Sequence, residues 1–115
     1  MESDLEAAFL TLWRQLGYPD IWRREYAPFP GRRFRFDFAV AEPYFVAVEC
    51  QGGTHTGGRH TRGGGYDVDC LKANMATAAG WRLFRVTSSM LRDDPALHLS
   101  IIAEALEVRH ADAGP

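Results

Sequence analysis

The sequence predicts one α/β domain over residues 1–115, with elements in the order α-β-β-β-α-β-α. Three observations carry this prediction. Apolar residues recur at helical spacing behind a capping motif near the N-terminus. Short alternating runs follow, separated by turn signals. A glycine-rich stretch then leads into a helix, one more alternating run and a last helix. A chain of 115 residues is long enough for one ordinary core and shows no repeat.

Ser3-Asp4-Leu5-Glu6 reads as a capping box, so the first helix starts at Asp4. Leu5, Phe9, Leu12, Trp13 and Leu16 form its stripe, and Gly17 with Pro19 ends it. The first strand is expected near Ile21 to Ala27, closed by Pro28 and the Pro30-Gly31 turn. The second runs from about Arg33 to Val40, with Phe34, Phe36, Phe38 and Val40 alternating against Arg33, Arg35, Asp37 and Ala39. After Glu42-Pro43 a third covers Tyr44 to Gln51. A helix from Tyr66 to Ala79 carries Val68, Leu71, Met75 and Ala79 as its stripe and stops at Gly80. Trp81 to Thr87 alternates as a fourth strand, and Asp94-Pro95 opens a last helix with Leu97, Ile101, Ala105 and Val108 inward.

Composition narrows the classes. Hydrophobic content of 46% and a net charge of −2 fit a soluble globular protein. No apolar run approaches a membrane span, and acids stand where a signal peptide carries bases. A reducing cytoplasm is therefore expected, with Cys50 and Cys70 as thiols. The charge is unevenly spread. Six arginines lie between Arg14 and Arg35 against only Asp20 and Glu25, and Gly52 to Gly65 holds Arg59, Arg62, His55 and His60 with no acid. That distribution fits a phosphate-binding face, and equally a solvated surface in an arginine-biased chain, since twelve of thirteen basic residues are Arg.

The chemistry concentrates in Phe36-Asp37-Phe38 and Val48-Glu49-Cys50-Gln51. A carboxylate inside an apolar strand is costly unless compensated, and a bound cation is one compensation. Strand parity puts Glu49 and Gln51 on one face, with Asp37 on the adjoining strand and Cys50 turned toward the valines. Asp37 and Glu49, with the backbone carbonyl of Cys50, make a hard oxygen set suited to Mg²⁺, with Mn²⁺ as a substitute. Phosphodiester hydrolysis uses such an ion. Salt bridges from Asp37 to Arg35 or Arg85, and from Glu49 to Arg82, are the plainer account of either acid alone. Lys72, the single lysine, either works at the site or snorkels at the surface beside Asp69. Glu6 completes the capping box and also lies where it can reach a metal or its water. The glycine-rich loop, with Arg59, His60, Arg62 and His55, together with Arg32 and Arg33, is the expected DNA-backbone contact. Cys50, His55, His60 and Cys70 nominally make a zinc set. Their spacing is unusual, Cys50 points to the core, and helix phase turns Cys70 away from Lys72.

With Asp37 and Glu49-Cys50-Gln51 on the second and third strands of an α-β-β-β-α-β chain, the sequence resembles the PD-(D/E)XK nuclease superfamily. It looks most like the compact Holliday junction resolvases of archaea and bacteriophages. The resemblance implies a restriction-endonuclease-like αβββαβ core, a mixed central sheet flanked by helices, followed here by a C-terminal helix. It implies a Mg²⁺-dependent homodimer that nicks paired strands of a four-way DNA junction in a cell or phage-infected host, with no membrane and no small-molecule cofactor. Asp37 and Glu49 match its acidic ligands, and Glu6 resembles the N-terminal glutamate of resolvase members. Phe36 replaces the motif's Pro. Gln51 stands where the motif has Lys, and an amide cannot carry that positive charge. Some members supply the lysine from the following helix, where Lys72 lies. Two alternatives stand beside this reading: a sequence- or mismatch-directed nicking endonuclease of the same superfamily, and a catalytically silent DNA-binding subunit.

Overall fold

A computed structural model describes residues 3–52 and 64–109. Their order is α1 (Asp4–Gln15), β1 (Arg23–Tyr26), β2 (Phe36–Val40), β3 (Val46–Cys50), α2 (Gly64–Ala78), β4 (Arg82–Val86), α3 (Ser88–Asp93) and α4 (Pro95–Leu106). The result is an α/β fold with a four-stranded mixed sheet flanked by helices. Strand order is β1-β2-β3-β4. The first two pairings are antiparallel, as turns as short as Ala41 to Phe45 allow, whereas β4 runs parallel to β3 after a crossover through α2. No helix among the described residues is long and apolar enough to cross a membrane.

The helix ends follow local chemistry. Ser3 Oγ accepts from the Glu6 amide at 3.1 Å, capping α1 at the expected residue. Gly17, at φ +87°, and Gly80, at φ +91°, end α1 and α2 in a conformation that glycine adopts without strain. Helix α3 is an addition to the expected elements. Thr87 caps it, its Oγ1 accepting from the Met90 amide at 3.2 Å. Asp94 then ends α3 and caps α4 through the Leu97 amide at 3.3 Å, with Pro95 in the first turn.

Two cores sandwich the sheet. On one side α1, α3 and α4 bury Phe9, Trp13, Leu91, Leu99, Ile102 and Leu106 against Phe38, Val46, Val48 and Val86. On the other, α2 lays Ala76 over Phe36, Ala39 and Ala47, and Trp81 fills the remaining gap. Small residues at 39, 47 and 76 admit the helix backbone close to the strands, while each large side chain buried opposite contributes about 2 kcal/mol of transfer free energy.

Three expectations are corrected. The second strand begins at Phe36 rather than Arg33, and Phe36 packs with Ala39 and Ala47 instead of with Phe38. Beside this break in alternation, Glu25 on the edge strand has φ +51°, a left-handed residue that interrupts the regular pleat. In α2 the expected stripe points outward: Val68 and Leu71 are exposed, and Ala76 is the buried residue. In α4, Leu97 and Ile101 are exposed while Leu99, Ile102, Ala103 and Leu106 are buried. Apolar residues surround α4, so periodicity does not select a face. The one-residue joint at Asp94 sets the phase.

Candidate active site

One transverse row of the sheet carries charge on every strand. Arg24 pairs with Phe38 and Tyr26 with Phe36, which sets Glu25 opposite Asp37. Phe38 pairs with Val48, so the same register continued by one residue sets Asp37 opposite Glu49. Glu49 in turn pairs with Arg85 on the parallel strand. The row Glu25, Asp37, Glu49, Arg85 lies toward the C-terminal ends of the parallel strands β3 and β4. There a cleft of about 510 Å³ opens between the sheet and α2, bordered by Asp37, Glu49, Gln51, Cys70, Lys72 and Arg85 among others.

Asp37 is anchored by backbone. Its Oδ2 accepts from the Cys50 amide at 2.8 Å, tying β2 to the last peptide of β3. The half-buried Asp37 carboxylate also lies within 4.8 Å of those of Glu6, which is buried, and Glu25, which is exposed. These are the only three side chains among the described residues that gather as a cation would require. Glu6 makes an ion pair with Arg24 at 3.4 Å, and that guanidinium sits 4.7 Å from the centroid of the Phe38 ring. Burial pushes the Glu6 carboxyl above the ordinary glutamate range, and the Asp37 charge pushes in the same direction; Arg24 opposes both. The capping box is therefore only half made, since Ser3 caps and the Glu6 side chain turns to Arg24 instead.

Lys72 reaches down from α2 into the cleft. Its ammonium bonds the Glu49 carboxylate and the Arg35 carbonyl, 5.5 Å from the centroid of the Phe36 ring. It is not a snorkelling surface residue: its side chain is 16% exposed and that of Glu49 13%. The salt bridges weighed as the plainer account are not the ones formed. Arg82 donates instead to the carbonyls of Tyr44 and Ala105, and Arg35 to that of Glu25. Gln51 is exposed at the cleft edge, and its backbone N–H extends the parallel ladder by donating to the Val86 carbonyl at 2.8 Å.

Cys50 packs with the valines, as parity predicts. Burial first, and then the Asp37 charge, push its thiol up to about 12. Contrary to the helix-phase expectation, Cys70 borders the same cleft as Lys72. The two cysteines join no metal-holding group among the described residues, and the other two members of the nominal zinc set, His55 and His60, lie outside them. His55, Arg59, His60 and Arg62 lie outside the described residues. Arg32 and Arg33 are exposed in the connection from β1 to β2.

Sequence reasoning misses Glu25 and Arg85 as members of the site. Residue type marks Glu25 only as a stray acid among arginines, and Arg85 only as a salt-bridge partner; pairing register gives both their places. Compared with known proteins, the chain matches no family model, no curated protein and no solved structure.

Proposed function

We propose that this chain is a Mg²⁺-dependent endodeoxyribonuclease with a restriction-endonuclease-like core of the PD-(D/E)XK type, selective for branched DNA in the manner of a Holliday junction resolvase. One observation carries this reading. Asp37 and Glu49 oppose each other on an antiparallel strand pair at the mouth of a cleft, with a lysine from the crossover helix on the second acid. The element order and the single parallel pairing are compatible with such a core and support the reading.

The donor set fits a hard divalent cation. It consists of carboxylate oxygens, with Asp37 as the common member: Glu6 and Glu25 lie on one side of it and Glu49 on the other. Asp37 and Glu49 would hold the ion, and the Cys50 carbonyl is the expected backbone ligand. When bound, Mg²⁺ supplies charge neutralisation at the scissile phosphate and a more acidic water. The protein's own groups do the rest. The Cys50 amide keeps Asp37 oriented, so the site needs little reorganisation. Lys72 supplies the positive charge that Gln51 lacks, and it is held in place by Glu49 and the Arg35 carbonyl. Gln51 offers an amide to orient water or substrate at the cleft edge. One Asp37–Glu49 pair per chain, set against two strands to be nicked, favours a homodimer.

The test is Mg²⁺-dependent cleavage of a labelled four-way junction beside a matched linear duplex, with Asp37→Asn as control. Paired nicks in the junction alone, lost in the variant, support the resolvase reading. Cutting of both substrates replaces it with a less selective nicking enzyme. Binding without cleavage in any divalent ion replaces it with a silent DNA-binding subunit.

A further inference from the structure

Arg85 has no place in the chemistry described so far. It is exposed, it borders the cleft, and it stands beside Glu49 in the parallel pairing of β3 with β4. Its neighbours two residues back in that register, Ala47 and Leu83, belong to the α2 side of the sheet, so strand parity turns Arg85 to the same side as Lys72. The two cations are used differently. Lys72 is engaged by Glu49 and by the Arg35 carbonyl. The Arg85 side chain makes no ion pair or hydrogen bond with any described residue, although Glu49 is adjacent. Of the exposed arginines, Arg14 pairs with Asp20 and Arg92 with Asp93, whereas Arg85 is set apart by its place at the cleft beside Glu49.

We infer that Arg85 is a phosphate-binding residue of the cleft, its guanidinium taking the non-bridging oxygens of a DNA backbone phosphate next to the acidic row. The substrate class rests on the nuclease reading; the binding role rests on the geometry of the cleft. A row containing Glu25, Asp37 and Glu49 repels a phosphodiester, and a cation at its far end offsets that repulsion where the strand would enter. Arginine suits this role because its planar donors match two phosphate oxygens at once and its charge does not titrate. A guanidinium without a partner among the described residues is also ready for the ligand, since no ion pair with them has to break first.

The experiment measures binding of a fluorescent four-way junction by anisotropy in EDTA over a salt series, with cleavage in Mg²⁺ followed separately. Arg85→Ala, Arg85→Lys and the remote control Arg92→Ala are compared with wild type. Arg85→Ala is expected to weaken binding about tenfold and to lower the slope of log affinity against log salt by about one. Arg85→Lys restores the slope but only part of the affinity, because it keeps the charge and loses the two-point geometry. Arg92→Ala leaves both unchanged. Affinity within about twofold of wild type and an unaltered slope in Arg85→Ala would overturn the inference, even where Asp37→Asn still abolishes cleavage. Loss of binding in Arg85→Ala, with a wild type that never cleaves, leaves Arg85 as a phosphate contact and removes the nuclease reading instead. A wild type that binds no DNA overturns both.

Discussion

Lys72 on α2 holds the carboxylate of Glu49 on β3, and the helix is thereby tied to the acidic row of the sheet. Both side chains are largely withdrawn from solvent, so removing one leaves the other charge poorly compensated. Lys72→Met is expected to lower the unfolding free energy by about 2 kcal/mol, read from urea denaturation. If Lys72 carries the positive charge of the site, the same variant slows cleavage by about a hundredfold. Added Mg²⁺ should raise its melting temperature more than that of wild type, because the cation then answers the exposed need of Glu49. Unchanged stability and rate would return Lys72 to the surface.

Glu6 gives the site a pH signature. Its carboxyl is raised, chiefly by burial and then by Asp37, so the folded state keeps a proton that the unfolded chain has already released. Folding then binds protons, and the contribution of Glu6 to stability declines as pH rises through the interval just above the ordinary glutamate value of 4.5. Glu6→Gln removes this dependence. Melting temperatures measured from pH 4 to 7 should show the variant gaining on wild type toward the neutral end. Parallel curves for the two proteins would place Glu6 in an unstrained setting.

The two thiols should differ sharply. With its thiol pushed up to about 12 and its side chain packed against the first core, Cys50 carries almost no thiolate at neutral pH. Alkylation of the folded protein at pH 7.5, mapped by peptide mass, is expected to mark Cys70 and to reach Cys50 only after unfolding. Equal labelling of both would contradict the packing of Cys50 beneath the helices.

The face that α4 buries is open to a direct measurement. Leu99 is fully buried and Leu97 is half exposed. Leu99→Ala should cost about 3 kcal/mol of stability and Leu97→Ala less than about 0.5 kcal/mol. Chemical denaturation of the pair separates the observed phase of the helix from the one that periodicity predicts, since the opposite ranking follows from the latter.

Much of this architecture is legible in the order of residues alone. Ser3, Gly17, Gly80 and the Asp94-Pro95 pair mark helix ends because capping and left-handed turns depend on residue type within a few positions. The existence of four strands, and the placement of Asp37 and Glu49 on neighbouring ones, follows from runs of alternating residues between turn signals. Cys50 faces the core as parity requires. These are local properties, and a local code expresses them.

The features that periodicity and spacing misplace are those that depend on partners. The face of α2 is set by the small residues Ala39 and Ala47 beneath it, which let Ala76 and Lys72 approach while Val68 and Leu71 stay outside. The face of α4 is set by its joint with α3, and the turn of Phe36 out of alternation accompanies the left-handed Glu25 on the next strand. Asp37 and Glu49 are visible in the sequence as two acids, but Glu25 and Arg85 join them only through the pairing register of four strands. The physical reason is one of range. Capping, turns and alternation act within a few residues and are therefore determined by the sequence alone, whereas register, helix phase and the meeting of charges across the sheet are decided by which close packing of the whole chain fills both cores.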